Sequence, residues 1–145
     1  MLKSKIKIGI SLRITEASNY TEKRDSLSHD WAQFLEEIDI VPILIPNTIS
    51  NINEFLENLD LDGLILSGGD NIGDDQKRDQ TENKIINFGL SNKLPIFGVC
   101  RGMQMLNVFF NGTIDESSNP ITLEIPILLK LIIKNFQIFL ITQLR

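Results

Sequence analysis

One cysteine, Cys100, stands between two glycines, Gly98 and Gly102, where a short apolar run gives way to a longer one of helical character. The first run, Ile96-Phe97-Gly98-Val99, is bounded by Pro95 and reads as a buried parallel strand. Met103, Met105, Leu106, Val108 and Phe109 then suit a helix buried on most sides. A side chain at such a strand-to-helix join is lifted above the sheet, the arrangement of a nucleophile elbow. The glycines fit because so tight a turn brings backbone segments together, and a Cβ on either flank would clash. The helix opening at Arg101 aims its free N–H groups and the positive end of its dipole at the sulfur, which favours the thiolate. The chemistry this allows is nucleophilic attack by Cys100. Spacing alone is equally compatible with a buried core cysteine.

The elements that must hold this residue can be read along the chain. Residues 6–12 alternate and predict a first strand. Residues 13–28 are polar and turn-rich and predict a loop. Trp31, Phe34, Leu35 and Ile38 follow at helical spacing, with Ser28 or Asp30 as N-cap. Residues 41–46 predict a second strand, and Ser50 a cap for a helix showing Ile52, Phe55, Leu56 and Leu59. Residues 61–66 predict a third strand running into Ser67-Gly68-Gly69-Asp70. An acidic loop over 71–78 leads to a helix through Ile85, Ile86, Phe88 and Leu90, and the elbow helix closes at Asn111-Gly112. Four strand–helix alternations call for an α/β domain, a parallel sheet with helices on both faces. Ligands of such sheets bind beyond the carboxyl ends of the strands, where Ser67 to Asp70 and Cys100 both fall.

Taken singly, most of these residues have ordinary explanations. Ser67-Gly68-Gly69 is a common strand-ending turn, and Met103, Met105 and Leu106 are core. The Arg101 side chain reads as a solvated arginine. Asp79 and Glu82 suit the dipole of a helix start whatever their function. Asp70, Asp74 and Asp75 read as solvated loop acids rather than metal ligands.

The 145 residues carry a net charge of −5, with 42% hydrophobic and 23% charged residues, enough for one soluble domain with its own core. That charge argues against nucleic acid or an anionic membrane as partner. A lone cysteine excludes an internal disulfide and points to a reducing compartment. Arg13 interrupts the apolar run that follows Lys3, Lys5 and Lys7, so no signal-peptide core is seen and a cytoplasmic location is expected.

Leu66-Ser67-Gly68-Gly69-Asp70, the Arg78-Asp79-x-x-Glu82 helix start and the run from Gly98-Val99-Cys100-Arg101-Gly102-Met103-Gln104 to Val108 together resemble one family, over about residues 5–114. It is the class I glutamine amidotransferase-like superfamily, in its gamma-glutamyl-gamma-aminobutyrate hydrolase (peptidase C26) branch. The resemblance implies a flavodoxin-like sheet and hydrolysis of a γ-glutamyl amide through a thioester on Cys100. It places the oxyanion hole on the backbone N–H groups of Gly69 and Arg101, and the glutamyl group beside Gly68, Gly102 and Gln104. It implies no cofactor, no metal and a small-molecule γ-glutamyl substrate. A self-sufficient hydrolase, open to homo-oligomerisation, is expected more than one serving a partner synthetase.

The pattern then breaks. The family's base and its orienting acid follow the cysteine, whereas the one histidine here, His29, precedes it. A histidine at a helix start is ordinarily a surface residue, and turnover is expected to survive His29→Ala. Residues 115–145 lack family resemblance: 121–127 alternate like a strand, and 128–145 are rich in Ile, Leu, Phe, Lys, Asn and Gln. The expectation is a frameshifted or prematurely ended tail, a domain truncated at its C-terminus with an uncovered apolar sheet edge. Two other functions stay open, a non-catalytic remnant and a ThiJ-type thiol sensor using Cys100. Rapid thiol labelling without glutaminase activity would favour the sensor.

Overall fold

Apolar runs separated by polar helix starts build the sheet. The computed structural model describes residues 5–114 and 138–141. In chain order its elements are β1 (Ile6–Ser11), β2 (Arg13–Glu16), β3 (Lys23–Ser26), α1 (His29–Glu37), β4 (Ile40–Ile45), α2 (Ile52–Glu57), β5 (Gly63–Leu66), α3 (Gln76–Asn92), β6 (Ile96–Val99), α4 (Arg101–Phe109) and β7 (Ile138–Ile141). The main sheet is parallel, in the order β4-β1-β5-β6-β7. Pro42 lies on β4, an edge strand, where a residue without an N–H is tolerated.

Strand alternation divides the core into two layers. On one face Leu64, Leu66 and Ile96 pack with Ile52 and Leu56 of α2, Ile85 and Ile86 of α3, and Met105 and Leu106 of α4. On the other, Ile10 and Ile65 pack with Leu35 of α1, joined by Trp31 and Phe97. The two-faced α/β arrangement expected from the alternation is therefore the observed one.

Four local expectations differ from the structure. The polar stretch 13–28 contains an antiparallel hairpin, Arg13 opposite Ser26 and Glu16 opposite Lys23. Polar contacts hold it: Thr15 and Ser26 hydroxyls meet at 2.8 Å, and the Asp25 carboxylate accepts from the Asn47 backbone and side-chain amides at 2.9 and 2.7 Å. The cap of α2 is Asn51 rather than Ser50, its side chain accepting from the Glu54 N–H. The helix α3 begins at Gln76, inside the predicted loop, because the Asp75 carboxylate caps the N–H groups of Lys77 and Arg78. Finally, β7 covers the β6 edge, with Ile96 opposite Ile138 and Val99 opposite Ile141, so that edge is paired rather than bare. The alternating segment 121–127 lies outside the described residues.

Left-handed residues that are not glycine follow closely on the helices: Asp39 (φ 59°) after α1, Asp60 (φ 53°) after α2, Lys93 (φ 56°) capping α3 and Asn111 (φ 63°) after α4.

Asp75 also anchors the hairpin, its carboxylate accepting from Lys23 Nζ at 2.8 Å. That hydrogen bond, with the two backbone N–H groups, holds the Asp75 carboxyl below its ordinary 3.8, and the same contact raises the Lys23 ammonium above 10.5. A depressed carboxyl stabilises the fold fully above its unfolded pKa and loses that contribution as pH falls through the lower folded one. Asn at this position still caps the helix but carries no charge. Asp75→Asn is therefore expected to be less stable than the parent at neutral pH, with the gap in urea midpoint closing below about pH 4. A gap of the same size at pH 2 and pH 7 would show that the charge contributes nothing.

Candidate active site

Cys100 joins β6 to α4 in a conformation that L-residues rarely adopt, φ 52° and ψ −109°, with its side chain exposed. This is the backbone of an elbow, and it excludes the buried-core alternative for the thiol. The flanking glycines are obligatory for the reason expected. A Cβ on Gly98 would lie 2.9 Å from the carbonyl of Gly102, and one on Gly102 would lie 2.1 Å from the carbonyl oxygen of Leu66. The elbow is thus pressed backbone to backbone against the end of β5.

From that strand end the chain turns through Ser67 to Asp70 directly beside the cysteine. A Cβ built on Gly68 would stand 3.4 Å from the Cys100 Cβ. Gly69 is left-handed (φ 86°), and the Arg13 side chain lies over it. No ion-pair partner of Arg13 is found among the described residues, so its positive charge is available at this rim. Gln104 sits one turn into α4, its N–H donating to the Cys100 carbonyl at 3.1 Å. Cys100, Arg101 and Gly102 of the elbow and Gly68 and Gly69 of the β5 loop are therefore neighbours, and Gln104 lies one helical turn further along α4. His29 is exposed at the first residue of α1. Among the described residues no cluster of His, Cys, Asp or Glu is placed to hold a metal, and no helix is long and apolar enough to cross a membrane.

Beneath the loop lies a buried polar cluster that the sequence does not reveal. Arg101 is not solvated: it is 1% exposed, and its guanidinium donates to the carboxylates of Glu82 and Asp79. Glu82 is fully buried and also accepts from Arg78 Nε at 3.1 Å and from the Ser11 hydroxyl at 2.9 Å. The two acids are thus counterions of buried arginines rather than solvated helix-start charges. Arg78, 1% exposed, donates to the carbonyl oxygens of Ser67 (3.0 Å), Gly68 (3.0 Å) and Gly69 (2.6 Å) and to the Asp70 carboxylate (3.0 Å). Asp70 is thereby a paired acid and Asp75 a helix cap, rather than the solvated loop charges their positions suggest. Ser11 and Ser67 tie the ends of β1 and β5, the Ser67 N–H donating to Ser11 Oγ at 3.0 Å and the Ser67 hydroxyl to the Ser11 carbonyl at 2.7 Å. The i,i+4 spacing of Arg78 and Glu82 is the one local sign of this cluster.

The peptidase C26 family model matches residues 7–124, running past Ile114. A gamma-glutamyl-CDP-amidate hydrolase from Campylobacter jejuni is 33% identical over 121 residues, which cover 79% of this chain and 60% of the relative. A glutamine-hydrolyzing GMP synthase component from Methanococcus maripaludis is 28% identical over 91 residues, covering 63% of this chain and 44% of the relative. The fold matches a GMP synthase-type crystal structure from Thermoplasma acidophilum, with a TM-score of 0.58 at 24% identity over 82% of this chain and 52% of that one. The chain thus spans roughly half the length of the proteins it resembles.

Proposed function

Since the chain belongs to the peptidase C26 family, we propose that it carries the nucleophile and oxyanion-hole half of a cysteine-dependent γ-glutamyl amide hydrolase. The observation that carries this reading is the exposed, left-handed Cys100 set against Gly68 at the end of β5. The Cys100 thiolate attacks the γ-carbonyl carbon, and the carbonyl oxygen becomes an oxyanion facing the N–H groups of Gly69 and Arg101. The C–N bond then breaks, the amine leaves with a proton, and a thioester remains on Sγ. Water adds to the thioester and releases glutamate, returning the thiol. Each oxyanion donor of this kind is worth roughly 100- to 1000-fold in rate. The positive charge of Arg13, which has no ion-pair partner among the described residues, and the positive end of α4 both favour the developing negative charge.

Two steps need a proton carrier, and no histidine follows Cys100 in the sequence. Removing a triad member typically lowers rates by about 10⁴-fold or more. Turnover by this chain alone is therefore expected to be slow and to rise on addition of imidazole, which supplies the missing base. The test is glutamate release from a γ-glutamyl anilide with and without imidazole, together with the intact mass of the protein. Imidazole-stimulated release and a single γ-glutamyl adduct, both lost in Cys100→Ala and both kept in His29→Ala, are the expected results. Equal release by Cys100→Ala, or an adduct elsewhere, would overturn the reading. The gamma-glutamyl-CDP-amidate of the Campylobacter relative is the first substrate to try in place of the anilide.

A further inference from the structure

We propose that Arg78, Glu82 and the Arg101 side chain are positioning residues that fix the two halves of the oxyanion hole relative to each other. The proposal rests on the assignment of that hole to the N–H groups of Gly69 and Arg101.

Peptide geometry sets the direction of the Gly69 N–H. In a trans peptide the C=O of one residue and the N–H of the next point in opposite directions. Arg78 gathers the successive carbonyls of Ser67, Gly68 and Gly69 onto one guanidinium. Because the Gly68 carbonyl is turned to Arg78, the Gly69 N–H is turned away from it. The planar fork of the guanidinium makes this possible; an ammonium has three donors on a single nitrogen and cannot span the same acceptors. Gly69, left-handed at φ 86°, accommodates the turn.

Glu82 connects that loop to the elbow. Glu82 accepts Arg78 on Oε1 and Arg101 on Oε2, so one fully buried carboxylate links the holder of the loop to the residue that follows the nucleophile. Asp79 gives Arg101 a second anchor and accepts from the Gly73 N–H at 2.9 Å, tying in the next loop. Buried ion pairs are a poor way to stabilise a core, since well-packed apolar groups do as well or better. What this cluster supplies instead is direction. The β5–β6 ladder, with Leu66 opposite Gly98, brings the two strand ends side by side. Beyond it the Gly69 peptide and the first peptide of α4 share no backbone hydrogen bond, and the side chains of α3 fix how one is turned toward the other.

The experiment compares two reagents on Cys100. A chloromethyl ketone analogue of glutamine is attacked at its carbonyl to give a hemithioketal oxyanion; Sγ then bonds to the methylene carbon as chloride leaves, and the bond from Sγ to the carbonyl carbon breaks as the ketone re-forms. Iodoacetamide alkylates by direct displacement of iodide and needs no oxyanion hole; in both cases the thiol proton goes to solvent. The variants are Arg78→Lys and Glu82→Gln, with circular dichroism to confirm folding. The expected result is a fall of about 100-fold in the maximal inactivation rate by the chloroketone, the size of losing one oxyanion donor. Its half-saturation concentration and the iodoacetamide rate should stay at parent values. A chloroketone rate unchanged in either folded variant overturns the proposal, as does a fall matched by iodoacetamide, which would mark a merely structural role. If the parent itself shows no preference for the glutamine analogue over chloroacetone, the hydrolase reading fails, and this proposal with it.

Discussion

Gly102→Ala is expected to leave little folded protein. The added Cβ would sit 2.1 Å from the carbonyl oxygen of Leu66, 2.6 Å from its carbonyl carbon and 2.7 Å from its Cβ. Two of those atoms are backbone at the end of β5, within the sheet, and cannot rotate aside. Ordinary overpacking of a core costs about 1–3 kcal/mol because side chains give way. Here α4 must leave the sheet, so the loss exceeds that range and approaches the whole stability of a small domain, on the order of 5–15 kcal/mol. Gly73→Ala is the control. Gly73 has φ 96° but nothing within 4 Å of its would-be Cβ, so that substitution bears only the left-handed strain, about 1–2 kcal/mol. Thermal unfolding followed by circular dichroism separates the two. If Gly102→Ala melted no lower than Gly73→Ala, the close seating of the elbow on β5 would be wrong.

The second large effect is at Glu82. Removing its carboxylate by Glu82→Ala strands two buried guanidiniums and the Ser11 hydroxyl at once. Breaking one buried pair from one side costs about 3–5 kcal/mol, and the cost here should reach the top of that range. Asp79 and Asp70 remain to hold part of the positive charge, and they keep the loss from growing further. A urea titration reads it as a lower midpoint with little change in slope. A loss no larger than that of Lys5→Ala, which removes only an exposed pair with Asp39, would mean that water reaches the cluster.

The contrast between these sites shows what a sequence discloses. The elbow is legible because its constraint is local. Gly98, Cys100 and Gly102 are alternate residues, and the clash that forbids a side chain follows from the turn itself. The helix α1 is equally plain, since Ser28 caps it and Leu35 is buried where helical spacing places it. The hairpin is hidden because neither strand shows an apolar face; residues 13–16 and 23–26 owe their extension to Asn47, Asp75 and a hydroxyl pair. The roles of Arg78, Asp79, Glu82 and Arg101 are hidden for a different reason. Charged residues are read by default as solvated, and only the fold brings positions 78–82 beneath positions 100–101. The pairing of β7 with β6 likewise joins segments far apart in sequence, and no periodicity within either one announces the other.

The left-handed residues at the helix ends bear on how this chain can change over generations. A lysine at φ 56° and aspartates at φ 59° and φ 53° stand where glycine would remove the steric conflict between Cβ and backbone. Lys93 has the most to gain, roughly 1 kcal/mol, because it lacks the short polar side chain that eases this conformation for aspartate and asparagine. None of these positions is among the residues gathered around Cys100. Substitutions in the loop beside the cysteine will usually destabilise the fold by a similar amount. The helix ends therefore hold a reserve of compensating mutations, through which selection could alter the loop beside Cys100 without losing the scaffold beneath it.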